Sequence, residues 1–89
     1  MNKNNLNEKY FKYLGNLKRA FSTLSLIKNF SIDIRKVEDI LDLAKRYVDD
    51  AEYYKEKNNL TIALLSLSYS EGLLDALRML GIVDFKWEC

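Results

Sequence analysis

Apolar residues recur at three- and four-residue intervals along most of this chain, and the period changes only near its end. Leu6, Tyr10, Tyr13, Leu14, Leu17, Phe21 and Leu24 share one stripe of a helix predicted over residues 6–28. Lys12, Asn16, Arg19 and Thr23 fall on its opposite face, while Phe11 and Leu26 lie off the stripe. A second stripe, Val37, Ile40, Leu41, Ala44, Tyr47, Val48, Ala51 and Tyr54, predicts a helix over residues 35–57. Its far side is charged, with partners spaced to pair one turn apart, as a solvated face requires. A third helix is predicted over residues 60–80. Its apolar and small side chains cover roughly two-thirds of the circumference. Only Leu64, Ser68, Glu71, Asp75 and Arg78 are left over, so this helix is expected to touch both neighbours and to be buried most.

The residues between these stripes are punctuation. Asn29 suits a left-handed helix stop, and Ser31 or Asp33 can cap the next start. Phe30, Ile32 and Ile34 predict a connection that packs down onto the bundle. At Asn58-Asn59 the first Asn tolerates the left-handed conformation that ends a helix, and the second can cap the following one. A link this short makes the two helices antiparallel. Gly81 stops the third helix. In residues 82–89 the period becomes two: Val83, Phe85, Trp87 and Cys89 alternate with Asp84, Lys86 and Glu88. Such a tail is extended with one apolar edge, and it needs a partner for its backbone. The tail is expected to dock on a bundle, its own or a second copy's, with Trp87 at least half buried and Phe11, Leu26 and Leu64 as the receiving patch. The fold class is therefore all-α: residues 1–89 form a single up-and-down antiparallel three-helix bundle with a short extended C-terminal tail.

Composition narrows the chemistry. The 89 residues hold no proline, no histidine and one cysteine, Cys89. No intrachain disulfide can form, and no zinc ligand set exists. The commonest general base is missing as well. No charged-then-apolar leader opens the chain and its longest apolar run is short, so a cytoplasmic protein without a membrane span is expected. The net charge of +1 is unevenly spread. Residues 1–30 carry six basic side chains against Glu8, a balance of +5; residues 31–58 and 59–89 each balance at −2. Oppositely charged helices attract within a bundle. The alternative is a basic face, Lys9, Lys12 and Arg19, that meets phosphate.

The stretch over residues 46–81 resembles a family of short archaeal proteins, domain-of-unknown-function family 357. The resemblance rests on Arg46-Tyr47, Asp50-Ala51, the tight turn Asn58-Asn59, Ala63-Leu64, and the string Tyr69-Ser70-Glu71-Gly72-Leu73-Leu74-Asp75-Ala76-Leu77-Arg78. The family turn is often Gly-Asp, so Asn-Asn is a departure with the same conformational logic. The resemblance implies a three-helix bundle and no particular activity.

Glu71, Asp75 and Arg78 share one face at i, i+4 and i+7. They form either a surface ion-pair ladder or part of a polar cluster with Arg46, Tyr47 and Asp50 on the antiparallel neighbour. Paired carboxylates from two helices can hold a hard metal or trade a proton. Gly72 costs about 1 kcal/mol relative to Ala inside a helix, and close helix–helix approach is the expected compensation. The six tyrosines are read as core or boundary residues. Ser66, Ser68 and Ser70 have no base partner and are not nucleophiles. The expected function is a small helical protein–protein interaction or oligomerisation module, not an enzyme and without a cofactor. Its candidate partner surface is Phe11, Leu26, Leu64, Phe85 and Trp87, with a homodimer through the tail as one form. The alternatives are a nucleic-acid-binding accessory and a carboxylate site near Asp50, Glu71 and Asp75.

Overall fold

A computed structural model describes residues 3–27 and 32–86. Three helices run up and down: α1 over Lys3–Thr23, α2 over Ile34–Glu56 and α3 over Leu60–Met79. Two short strands, β1 (Ser25–Leu26) and β2 (Val83–Asp84), pair antiparallel, with Leu26 opposite Val83. The molecule is elongated, 46 × 24 × 19 Å, because each helix is about 30 Å long at 1.5 Å per residue.

The joints follow the predicted chemistry. Asp33 caps α2 by accepting a hydrogen bond from the Arg35 N–H at 2.9 Å. Asn58 adopts the left-handed conformation (φ 60°), and the Asn59 side chain accepts from the Ile62 N–H at 3.3 Å. Gly81, at φ 75°, carries the chain out of α3. Ile32 and Ile34 are exposed, however, so that part of the connection does not pack down. Asn29, Phe30 and Ser31 lie outside the described residues.

The first helix ends five residues earlier than its pattern predicts. Thr23 donates to the Arg19 carbonyl and accepts from the Lys86 N–H at 2.8 Å. The chain then becomes extended, and the Ile27 N–H donates to the Ile82 carbonyl at 2.9 Å. Leu24 continues the helical period past Thr23, but backbone pairing with the tail overrides it. The same pairing satisfies the tail: Ile82, Val83 and Phe85 are buried, Phe85 to 4%. The tail here pairs with β1 of its own chain. Trp87 lies outside the described residues.

Tyr10, Leu14, Leu17 and Ala20 of α1 meet Val37, Ala44, Val48 and Ala51 of α2 and the inner face of α3. That inner face is Ala63, Ser66, Leu67, Ser70, Leu74 and Leu77. Small residues dominate where α3 lies against α2, the more extensive of its two contacts. The Ser70 hydroxyl crosses that seam and donates to the Ala44 carbonyl at 2.8 Å. A helix carbonyl has a second lone pair, so this bond costs α2 none of its own.

Two expectations for α3 are corrected. It does touch both neighbours, but the strip it leaves outside is not the polar one. Of that strip only Ser68 and Arg78 are exposed, Leu64, Glu71 and Asp75 being half-buried, and the other residues turned outward are mainly apolar. Sequence hydropathy cannot tell an inward apolar face from an outward one when the helix has two. Gly72 is exposed, and a Cβ added there would meet nothing within 4 Å, so no helix of this chain approaches it closely. Leu73 is half-buried beside the core, whereas Leu74 is fully buried.

Leu74→Ala should therefore lower stability by about 2–5 kcal/mol, and Leu65→Ala, on the outward face, by less than about 0.5 kcal/mol. Gly72→Ala should raise it by up to about 1 kcal/mol in dilute protein, where only the intrachain environment counts. Urea titrations of the three variants check this order.

Candidate functional site

At 100° per residue, the buried side chains of α3 centre on one direction and the exposed ones, Arg78 excepted, on the opposite direction. The outward face carries Thr61, Ile62, Leu65, Ser68, Tyr69, Gly72, Ala76 and Met79, with Leu80 at the cap. None of these is charged. Leu65 is 54% exposed, Tyr69 62% and Met79 86%. The exposed faces of α1 and α2 look different: there Lys9, Lys12, Arg19, Glu38, Asp42 and Asp49 face water. Scattered surface leucines are ordinary, but a contiguous uncharged apolar strip along a whole helix is not. Leu60–Met79 is also long and apolar enough to cross a membrane by length and composition.

The strip is bounded on both sides. Toward α2, the Tyr69 ring stacks on Tyr47 with centroids 5.4 Å apart and planes 25° from parallel. Toward α1, Tyr13, Ser68, Glu71, Gly72 and Asp75 line an open cleft of about 320 Å³. Burial raises the Glu71 pKa above its ordinary value, with the nearby Asp75 carboxylate adding to the shift. Asp75 is itself paired with Arg78 at 3.0 Å, and the Arg78 guanidinium lies 4.7 Å from the centre of the Phe85 ring.

The six residues of the candidate polar cluster are distributed over different surfaces. Glu71 and Asp75 face the α1 side. Tyr47 stacks on Tyr69. Arg46 and Asp50 are exposed on α2, where Arg46 lines a separate cleft with Asp39, Ile40, Asp42, Leu43 and Lys45. Among the described residues, no group of three carboxylate, thiol or imidazole side chains is placed to hold a metal ion.

The candidate partner surface divides as well. Phe11 is 60% exposed, edge-on to Tyr10, with the Lys55 ammonium 5.5 Å from its ring centre. Leu26 is exposed on β1 and Leu64 is half-buried, while Phe85 belongs to the core of its own chain. The basic face Lys9, Lys12 and Arg19 is exposed on α1, and the neighbouring Lys18 reaches Glu52 of α2 at 3.6 Å.

Sequence reasoning missed the outward strip of α3 and the small-residue seam beneath it. A signal for the strip is present. Ile62, Leu65, Tyr69, Gly72, Ala76 and Met79 follow each other at intervals of 3, 4, 3, 4 and 3 residues. That is the spacing of a helix–helix seam, and it runs beside a second apolar stripe on the same helix.

The family model described as protein of unknown function, DUF357, matches residues 12–83 of the chain. It spans all of α2, α3 and β1 and more than half of α1. Among curated proteins and among solved structures, none matches the chain.

The acidic cleft has a measurable consequence. A carboxyl group whose pKa is raised by folding contributes stability below its unfolded pKa, and that contribution is lost as pH rises through the folded value. Glu71→Gln should therefore raise the melting temperature at pH 7 relative to the native chain and leave it unchanged or lower at pH 3. Melting curves at the two pH values, with Glu38→Gln on an exposed face as the control, check the sign.

Proposed function

The chain belongs to the DUF357 family, which is described only as proteins of unknown function, and from that premise we propose that it is a non-catalytic protein–protein interaction module whose contact surface is the outward face of α3. One observation carries this reading: the most apolar helix of the chain turns an uncharged face to solvent along its whole length. Burying such a face contributes about 25 cal/mol per Å² of apolar area removed from water. The core beneath is complete without it, since α3 already packs on α1 and α2 through its other face.

The shape of the surface favours a helical partner. It is a narrow strip roughly 26 Å long at 1.5 Å per residue, with two rows of side chains and a small residue in each row. A lipid surface is a poorer fit. Amphipathic helices that lie on membranes carry lysine and arginine along their polar edges, whereas α3 is edged by Glu71 and Asp75 and carries one basic residue, Arg78.

A photo-crosslinking amino acid placed at Ala76, in cells that make the protein, tests this reading. It should capture a protein in one discrete adduct, and the same group at Glu38 on the charged face of α2 should capture none. Equal capture at the two positions, or none at Ala76, contradicts an interaction surface on α3.

A further inference from the structure

We infer that the outward face of α3 pairs with the same face of a second copy of this chain, antiparallel, about a two-fold axis level with the Ser70–Glu71 peptide. The inference rests on the interaction reading above and names the occupant of that surface.

Gly72 is the first observation. It sits mid-helix, where glycine is unfavourable by about 1 kcal/mol relative to alanine, and among the described residues nothing beyond its chain neighbours and its own helix backbone lies within 4 Å of the space a Cβ would take. The fold of one chain therefore does not require a glycine there. In the inferred pairing, a glycine at this position leaves room for a large side chain of the other copy.

The order of side-chain sizes is the second. The seam reads Ile62, Leu65, Tyr69, then Gly72, Ala76, Met79. In an antiparallel pair centred between Ser70 and Glu71, Tyr69 lies opposite Gly72 of the other copy. Leu65 lies opposite Ala76, and Ile62 opposite Met79. Each of the two inner positions sets a large side chain against a small one, as interdigitated packing needs. A two-fold contact generates every such pair twice. The parallel arrangement sets Tyr69 on Tyr69 and Gly72 on Gly72, which crowds one level and leaves a void at the next. Shifting the antiparallel register by a heptad removes about two-fifths of the overlap along the strip.

Area is the third. The five large apolar residues of the face, Ile62, Leu65, Tyr69, Met79 and Leu80, are exposed by 39–86%. At about 200 Å² each when fully exposed, they offer on the order of 600 Å² per copy, or about 1,200 Å² across a two-fold contact, against the roughly 1,000 Å² of a specific interface. The face also carries no charge, so burying it against its own copy leaves no unpaired ion.

Sedimentation equilibrium on the full chain tests the inference. The native protein should move from 10.5 kDa to twice that mass as concentration rises. Leu65→Glu and Ala76→Lys should each weaken association by at least about tenfold, since each buries a charge without a partner. The double variant should restore it. Each carboxylate introduced at Leu65 then faces the ammonium introduced at Ala76 of the other copy, and never the one in its own chain. Gly72→Leu should remain folded, melt no lower than native in dilute protein, and fail to dimerise. All of these changes are on exposed positions, and circular dichroism confirms that each variant is helical. A native chain that stays at 10.5 kDa up to about 0.5 mM, well above typical micromolar affinities, overturns the inference. So does a double variant that stays monomeric. A dimer that survives Leu65→Glu and is lost on removing residues 82–89 overturns it in favour of an exchanged tail. A monomeric chain whose Ala76 crosslinker still captures a different protein sinks this inference while leaving the interaction surface standing.

Discussion

The contact between α2 and α3 is the constraint on which the rest of this fold depends. Ala44 and Ala51 on one side, and Ala63, Ser66 and Ser70 on the other, are all buried. Side chains this small let two helix backbones come close over several turns. The Ser70 hydroxyl, bonded to the Ala44 carbonyl at 2.8 Å, fixes how far one helix can slide along the other. The turn at Asn58 and Asn59 sets the same register from the end, through a left-handed residue and a cap. Seam and turn together make the hairpin a rigid platform. α1 lies across this platform through Tyr10, Leu14 and Leu17, with the Tyr10 hydroxyl reaching the Ala51 carbonyl at 3.5 Å.

Fixing that seam also decides what is left over. α3 has two apolar faces, and only one can be turned toward α2 and α1. The inward face takes Ala63, Ser66 and Ser70 together with Leu67, Leu74 and Leu77. Ile62, Leu65, Tyr69 and Met79 are then turned outward by geometry. The outward strip is thus a direct consequence of how the hairpin closes. The tail works at the opposite end of α1 from the hairpin turn. β1 and β2 satisfy each other's backbone, and Phe85 fills the core beneath the Arg78 guanidinium.

Much of this was legible in the residues. The three helices, the capping role of Asp33 and of the Asn pair, the Gly81 stop and an extended tail follow from period and turn chemistry alone. What was not legible has physical causes. Leu24 keeps the helical period past Thr23, and the backbone pairing with the tail breaks it. The outward strip was hidden because a broadly apolar helix reads as a broadly buried one. Hydropathy weighs how apolar a residue is and not which neighbour reaches it. The close helix–helix approach expected at Gly72 is not made within the chain for the same reason. The polar cluster was drawn across the hairpin from helical spacing, but spacing does not fix how α3 is rotated about its own axis. That rotation turns Glu71 and Asp75 toward Tyr13 on α1, and it places Tyr69, not Glu71, beside Tyr47.

If the small-residue seam organises the molecule, the hairpin must outlast its neighbours when the native state opens. Native-state hydrogen exchange read residue by residue is the most direct measurement, because it ranks the opening free energy of each element. The slowest amides should be those around Ala44 and Val48 in α2 and around Leu67, Ser70 and Leu74 in α3. Those of α1 and of the β1–β2 pair should exchange through smaller openings that leave the hairpin closed. Slowest exchange in α1, with α2 and α3 opening first or separately, would contradict it.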